Sequence, residues 1–446
     1  MELQGKKVLV FGSGKSGIGA SDLLAKVGAS PIIYDGNAEI DKEAVVHKTD
    51  GTYPVTVYAG ELPKEVQESL DLVVLSPGVP TDLPIVKSFY EQGLPVWGEV
   101  ELDGEVLAIT GTNGKTTTTA LLGKIMQDAR ESVFVVGNIG TPYTSKALEM
   151  KPNSVTVAEI SSFQLETIDE FAPKVSAILN ITEDHLNRHH TMEEYIRVKE
   201  LITQNQGTED VCVLNYEDEV LRKFGENLTP RVVYFSSERK LDEGIYLDGN
   251  KIILKDGAKE IEVVKTEDLK LLGKHNFENV MAAVAMAYYD GVSMDSIRKS
   301  ICEFTAVAHR IEYVTEKNGV VYYNDSKGTN PDAAIKGIQA MNRPTLLIGG
   351  GYDKGSEFDL YVKAFKDRVK LLVLIGQTSD KIEATAKKYG FTNIIKAESL
   401  KEVVDICAEN AKDGDAVLLS PACASWGMFD NYEQRGRLFK EYVNAL

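Results

Sequence analysis

The sequence predicts an α/β protein of three successive domains, each built on a mainly parallel sheet. Short apolar runs alternate with amphipathic stretches from the start of the chain. Two glycine-rich turns each join an apolar run to a helical one, and the alternation resumes after about residue 303.

Residues 1–98 set the pattern. KKVLVFG, SPIIYDG and DLVVLSPGV read as strands, and GIGASDLLAKVG and LPIVKSFYEQG as helices. In VLVFGSGKSGIGASDLL the glycines Gly12, Gly14 and Gly17 follow a strand and open a helix, with Asp35 eighteen residues beyond Gly17. The spacing is that of a dinucleotide fingerprint. Glycines let the backbone approach a pyrophosphate, and a carboxylate meets a ribose or ring group. Lys15 and Ser16 line this turn. An NAD-dependent oxidoreductase is one reading of these residues, and a tight strand–helix turn without a ligand is another.

The second domain is expected over 99–303. VLAITGTNGKTTTTALLGKIM is a strand, a glycine turn and a helix that begins with a lysine and four threonines. Backbone N–H groups of such a turn cradle phosphates, Lys115 reaches the β- and γ-phosphates, and the hydroxyl of Thr116 or Thr117 can ligate Mg²⁺. The first glycine is Gly111, and Ile109 stands where the common phosphate loop has glycine, so this turn is a tighter variant. SVFVVG, SVTVAEI, VSAILNIT and VCVLN follow as strands, then a β-rich stretch with hairpins over 231–272, then HNFENVMAAVAMAYYDG as a helix. Two of these strands end in polar groups. Glu159 closes one, with Ser161 and Gln164 after it, and Asp184 and His185 lie just past another. Ligand sites of parallel sheets gather at the carboxyl ends of strands, so Lys115, Glu159 and His185 are expected to converge on a phosphate–metal site.

The third domain, 304–446, has strands at GVVYYND, TLLIGGG, VKLLVLIG and DAVLLSP. Arg310, Asp325, Lys327, Lys354, Ser425 and Tyr432 stand in Gly/Ser/Asn-rich loops, where sites are built, and Pro331 suits a first helical turn. A nucleoside triphosphate with Mg²⁺, facing cations and hydroxyls, suits activation of a carboxylate as an acyl phosphate and its capture by an amine.

Composition narrows the classes. A net charge of −18 over 446 residues argues against a nucleic-acid or anionic-membrane surface. No apolar run reaches membrane-span length, and MELQGKKVLV lacks a signal-peptide layout. Four scattered cysteines argue against a disulfide framework or structural zinc and fit a reducing cytoplasm.

GTNGKTTTT, GNIG, EISSFQLE, ITEDHLNRH, GKHNFEN, HRIEYV, NDSKGTN and SPACASW…NYEQRG together resemble the Mur ligase family over nearly the whole chain. GTNGK with a downstream HR also admits folylpolyglutamate synthase and the other Mur ligases. EISSFQLE, NDSKGTN and SPACAS point to the branch that adds D-glutamate. The resemblance implies a Rossmann-like N-terminal domain for a UDP substrate, a central P-loop ATPase-like domain and a Rossmann-like C-terminal domain. It implies that ATP phosphorylates UDP-N-acetylmuramoyl-L-alanine and that D-glutamate displaces the phosphate, in cytoplasmic peptidoglycan precursor synthesis, by a monomer.

The resemblance also assigns residues. Gly111, Thr112, Asn113, Gly114, Lys115, Thr116 and Thr117 match the ATP phosphate loop. Asn276 matches an adenine contact, and Arg310, Asp325 and Lys327 match ATP-side groups. Thr116, Glu159, His185 and a carbamylated Lys199 match the holders of two Mg²⁺ ions. Residue type alone makes Lys199 a solvated helix lysine. The first loop passes from NAD to the UDP moiety, with Gly14, Lys15, Ser16, Asp35, Gly36 and Gly78. Asn138, Ser161 and Gln164 match contacts to the muramoyl-alanine part, and Lys327, Thr329, Lys354, Ser425 and Tyr432 the D-glutamate pocket. Gly328, where Ala or Ser is usual, and Ala308 before HR depart from the pattern. A non-catalytic member of the same fold is a further alternative, which the presence of Lys115, Glu159, His185 and Lys199 argues against.

Overall fold

Alternate residues of the first strand, Lys7–Phe11, face opposite layers: Leu9 and Phe11 pack with Val73, Leu75 and Phe89, and Val8 and Val10 with Ala20, Leu24 and Leu72. A strand buried on both faces belongs inside a parallel sheet covered by helices. The computed structural model describes residues 2–99 and 104–446. Residues 100–103, within the expected first domain break, lie outside it. The chain divides into two compact units, one running up to Val263 and including Asn279–Ser300, the other Val264–Glu278 with Ile301–Leu446.

The first unit holds two sheets. In the N-terminal one, β1 (Lys7–Phe11), β2 (Ser30–Asp35), β3 (Thr56–Ala59), β4 (Leu72–Leu75) and β5 (Val96–Gly98) lie parallel in the order β3-β2-β1-β4-β5. The order reverses beside β1, so a crevice opens past the carboxyl ends of β1 and β4.

The second sheet has β6 (Glu105–Thr110), β7 (Val133–Gly137), β8 (Val155–Glu159), β9 (Val175–Ile178), β10 (Val211–Asn215), β11 (Arg231–Ser236), β12 (Gly244–Asp248), β13 (Lys251–Asp256) and β14 (Lys259–Lys265). Its order is β14-β13-β12-β11-β10-β9-β6-β8-β7, parallel from β7 through β12, with β13 antiparallel to β12. The expected hairpins are therefore the outer end of a continuous sheet. Strand β6 sits between β8 and β9, so the turn after Thr110 emerges at a central switch point. Val280–Ala287 of the helix Lys274–Tyr289 are all fully buried, as an apolar-all-round sequence requires.

The second unit carries β15 (Glu312–Lys317), β16 (Val320–Asn324), β17 (Thr345–Gly349), β18 (Val369–Ile375), β19 (Ile394–Ala397) and β20 (Ala416–Leu419), in the order β15-β16-β20-β17-β18-β19. Only β15 is antiparallel to its neighbour. Asn330 caps the helix Pro331–Ala340, with Pro331 in its first turn as expected.

Every strand expected from the sequence is present. The four it passed over, β3, β5, β15 and β19, are all sheet edges. These edge strands are half solvated, so they carry no continuous buried apolar run to be seen.

Candidate active site

The first glycine turn is fixed by contact. A Cβ on Gly17 would stand 1.9 Å from Gly12 O, so the helix Lys15–Lys26 can approach the strand this closely only with glycine there. Asp35 supports the turn from β2: its Oδ2 accepts from Ser13 N at 3.2 Å and Ser13 Oγ at 2.5 Å, and its Oδ1 from Asn37 N at 3.0 Å. Burial raises this carboxyl, and those hydrogen bonds outweigh it, leaving it below the usual carboxylate range. Gly14, Lys15, Ser16, Asp35 and Gly78 line one cavity of about 430 Å³, and Asn138 and Gln164 close it from the second sheet. Ser161 and Gln164 form a capping box on the helix Ser162–Leu165, which holds Gln164 in place. Gly36 follows Asp35 and is not among the lining residues.

The second turn leaves β6 through Gly111 (φ 141°) and enters the helix Lys115–Ala129 through Gly114 (φ 88°). Thr112 Oγ1 donates to Thr182 O at 3.0 Å and meets the Tyr195 hydroxyl at 3.1 Å, and Asn113 N donates to Asn180 Oδ1 at 2.8 Å. Thr117 is buried beside the less buried Thr116. Lys115 Nζ donates to Gly111 O at 2.9 Å and Thr112 O at 3.1 Å. Lys199 Nζ donates to the same Gly111 O at 3.0 Å, lies 4.8 Å from the Tyr195 ring centre, and is 1% exposed. Burial, and after it the Lys115 ammonium, pushes the Lys199 amine down to about 7. The reading of Lys199 as a solvated lysine is thus corrected. It stands four residues after Tyr195 on the buried face of the helix Met192–Glu200.

Glu159 pairs with Ile109 across the β6–β8 register, so it ends its strand beside the phosphate turn. It is 1% exposed; Oε1 accepts from Asn138 Nδ2 at 2.7 Å, and among the described residues the buried Oε2 has no hydrogen-bond partner. A buried carboxylate oxygen without a donor fits a cation ligand. His185 caps the helix Leu186–His189 in a left-handed conformation (φ 53°), its ring 4.9 Å from that of Phe163 and half exposed. Among the described residues no three His, Cys, Asp or Glu side chains form a metal cluster. The feature among the described residues whose chemistry fits a divalent cation is this Glu159 oxygen.

Sequence reasoning missed Asn279, three residues past Asn276. Its Oδ1 accepts from Thr118 Oγ1 at 3.3 Å and would stand 2.3 Å from a Cβ on Gly114, so it backs the phosphate turn. The signal was the second asparagine of GKHNFEN. Asn276 itself lies in the second unit, where Nδ2 donates to Leu272 O at 2.7 Å.

Within the second unit Asp325 directly follows β16, and burial pushes its carboxyl up to about 7. Oδ1 accepts from Ile311 N at 3.2 Å and so holds the turn that presents the exposed Arg310, while Oδ2 accepts from Ser420 Oγ at 2.7 Å just past the end of β20. A Cβ on Gly328 would approach Asp325 Oδ2 to 2.7 Å, the physical reason for glycine at that position. Lys327 Nζ lies 5.7 Å from the Tyr432 ring centre, and Thr329 N donates to Lys327 O. Arg435, 2% exposed and unnoticed in the sequence, ties this loop to the next. It donates to Ser326 Oγ (2.9 Å), Ser326 O (2.8 Å) and Cys423 O (3.2 Å), while Ser326 Oγ donates to Tyr432 O (2.8 Å). Ser425 is buried nearby in sequence, and Lys354 Nζ lies 4.4 Å from the Trp426 ring centre.

Two glycine turns on parallel sheets, one carrying a lysine at a helix start beside a buried carboxylate, define a nucleotide-handling α/β protein of several sheets. The chain belongs to the Mur ligase family. The Mur ligase MurD-like N-terminal domain matches residues 6–98, the Mur ligase middle domain 109–287, and the Mur ligase glutamate ligase domain 309–423. The UDP-N-acetylmuramoylalanine–D-glutamate ligase of Lachnospira eligens is 60% identical, with 100% of both chains covered. The protein of the same name from Caldanaerobacter subterraneus is 48% identical, again with 100% of each covered. Among solved structures, UDP-N-acetylmuramate–alanine ligase from Thermotoga maritima shares the fold, with a TM-score of 0.57, 20% identity and 99% of each chain covered.

Proposed function

We propose that this protein is an ATP-dependent amide ligase that joins D-glutamate to UDP-N-acetylmuramoyl-L-alanine in peptidoglycan precursor synthesis. The observation that carries the reading is the Gly111 turn, where Lys115 and the buried Lys199 meet at one carbonyl beside the orphaned Glu159 oxygen. Full-length relatives bearing that enzyme's name support the substrates.

The three segments 1–98, 99–303 and 304–446 divide the work. The first turn, with Gly14, Lys15, Ser16, Asp35, Gly36 and Gly78, holds the UDP handle. Asn138, Ser161 and Gln164 continue along the sugar and its alanine. The turn Gly111–Thr117 holds the ATP phosphates through backbone N–H groups and Lys115, with Asn276 at the adenine and Arg310, Asp325 and Lys327 on the ATP side. A carboxylate oxygen of the alanine attacks the γ-phosphorus, the bond to ADP breaks, and Lys115 neutralises the charge that builds on the transferred group. The D-glutamate amine then attacks the acyl carbon, the acyl C–O bond to phosphate breaks, and the nitrogen gives up a proton. Lys327, Thr329, Lys354, Ser425 and Tyr432 bind and orient D-glutamate. Thr116, Glu159, His185 and carbamylated Lys199 would hold Mg²⁺, which screens phosphoryl charge. The enzyme acts as a monomer in the cytoplasm.

Phosphate release is measured with UDP-N-acetylmuramoyl-L-alanine, ATP, Mg²⁺ and a panel of amino acids. Release with D-glutamate alone is expected. Release with L-lysine or diaminopimelate moves the protein to another Mur ligase activity, and no release with any of them overturns the assignment.

A further inference from the structure

Glu99 follows β5 and was not among the residues singled out in the sequence. It is 8% exposed and lines the same cavity as the first glycine turn. Its known partners are hydroxyls only. Ser76 Oγ donates to Oε1 at 3.0 Å, and Ser16 is the second side-chain partner. Ser76 in turn packs against the turn: its Oγ would stand 2.7 Å from a Cβ on Gly12 and 2.9 Å from one on Gly17. One hydroxyl therefore separates Glu99 from the backbone that receives an anion. The other ionisable side chains lining the cavity are Lys15 from the first helix, Asp35 from the end of β2, and the Tyr143 phenol. Among the described residues no ammonium or guanidinium pairs with Glu99, and Asp35 is committed to Ser13 and Asn37.

A buried carboxylate with no counter-cation, sharing a cavity with a pyrophosphate, sets two anions against each other in a poorly screened space. We propose that Glu99 is a proton-coupled positioning residue for the pyrophosphate-bearing substrate: it is a carboxylate in the free protein and takes one proton from solvent as the pyrophosphate binds. The inference rests on the reading of the first turn as the UDP site. Balance is simple, since substrate and one proton enter together and no other bond changes. As a carboxylate, Glu99 only accepts and holds the serine hydroxyls toward itself. As an acid it donates, and Ser16 and Ser76 can turn their protons to the phosphate oxygens. Burial already pushes the free carboxyl up to about 7, and an adjacent anion pushes it further in the same direction.

The test is calorimetric binding of UDP-N-acetylmuramoyl-L-alanine without ATP, at about pH 8, in HEPES and in Tris. The ligand's own pyrophosphate and carboxyl groups stay ionised there, so a buffer-dependent heat reports uptake by the protein. The wild type is expected to take up most of one proton. Glu99→Gln should bind with none, and with an affinity that stays flat as pH rises while the wild type loses up to about tenfold per unit. Lys199→Met, which removes another buried group titrating near neutrality, should keep the uptake. Wild-type binding without a buffer-dependent heat, uptake persisting in Glu99→Gln, or uptake lost in Lys199→Met overturns the proposal. Failure of the wild type to bind the ligand at all overturns the UDP reading of the first turn, and this inference with it.

Discussion

Removing dissolved CO₂ tests the role given to Lys199. A lysine with the ordinary value of 10.5 is neutral in only about 0.3% of molecules at about pH 8. Burial and Lys115 bring this one to about 7, so roughly 90% are neutral under the same conditions, some 300-fold more. A carbamate forms from the neutral amine and CO₂ with release of a proton, and the lowered value of Lys199 favours that neutral form. Lowering the pH from about 8 to about 6 cuts the neutral fraction from roughly 90% to roughly 10%, because the charged form is favoured below the shifted value. The assay is ¹³C-bicarbonate labelling read by NMR, beside phosphate release after CO₂ depletion. One carbamate carbonyl per chain is expected, lost in Lys199→Ala and weakened at the lower pH. Turnover should fall on depletion, return with bicarbonate, and be partly restored in Lys199→Ala by acetate. A carbonyl signal that survives Lys199→Ala, or turnover indifferent to depletion, refutes the reasoning and leaves Lys199 acting as an amine.

Lys115→Ala is expected to lower kcat by about 10²–10³-fold, the usual loss when a preorganised charge partner of a transferring group is removed; unchanged kcat takes the Gly111 turn out of the chemistry. Lys354→Ala should raise the KM for D-glutamate with kcat little changed, and a shift confined to the KM for ATP would show the pocket to be misassigned. Arg188 donates to both Glu166 oxygens and to Val79 O, with about a tenth of either charged side chain exposed. Among the described residues, Arg188→Ala leaves that buried carboxylate with only the His189 ring at 3.3 Å and the Thr81 hydroxyl at 3.5 Å, so a loss of about 3 kcal/mol is expected from urea unfolding, and a loss within error of zero would show the pair to be solvated.

What the sequence disclosed follows from how each group is buried. Strands covered on both faces, such as β1 and β6, appear as unbroken apolar runs, and glycines that must approach a neighbour closely sit at fixed spacings. Glu159 stood out because several strands end in polar groups beside a phosphate-type turn, and the structure adds that its carboxylate is buried. Glu99, Lys199 and Arg435 were not readable from residue type, because GEVE, RVKE and EQRG look like ordinary solvated charge. Their burial comes from segments far away in the chain: Ser76 over Glu99, Gly111 over Lys199, Ser326 over Arg435. Lys199 was reached only through family resemblance, although its spacing of four from the buried Tyr195 was available as a cue.

Arg435 grips Ser326 through two nitrogens and Cys423 through a third, so the loops after β16 and β20 share one fastening. Neither loop can shift far while that guanidinium stays seated. A compound that pried it loose would disorder the surroundings of Lys327 and Ser425 in one stroke. It could disable the protein while resembling none of its substrates.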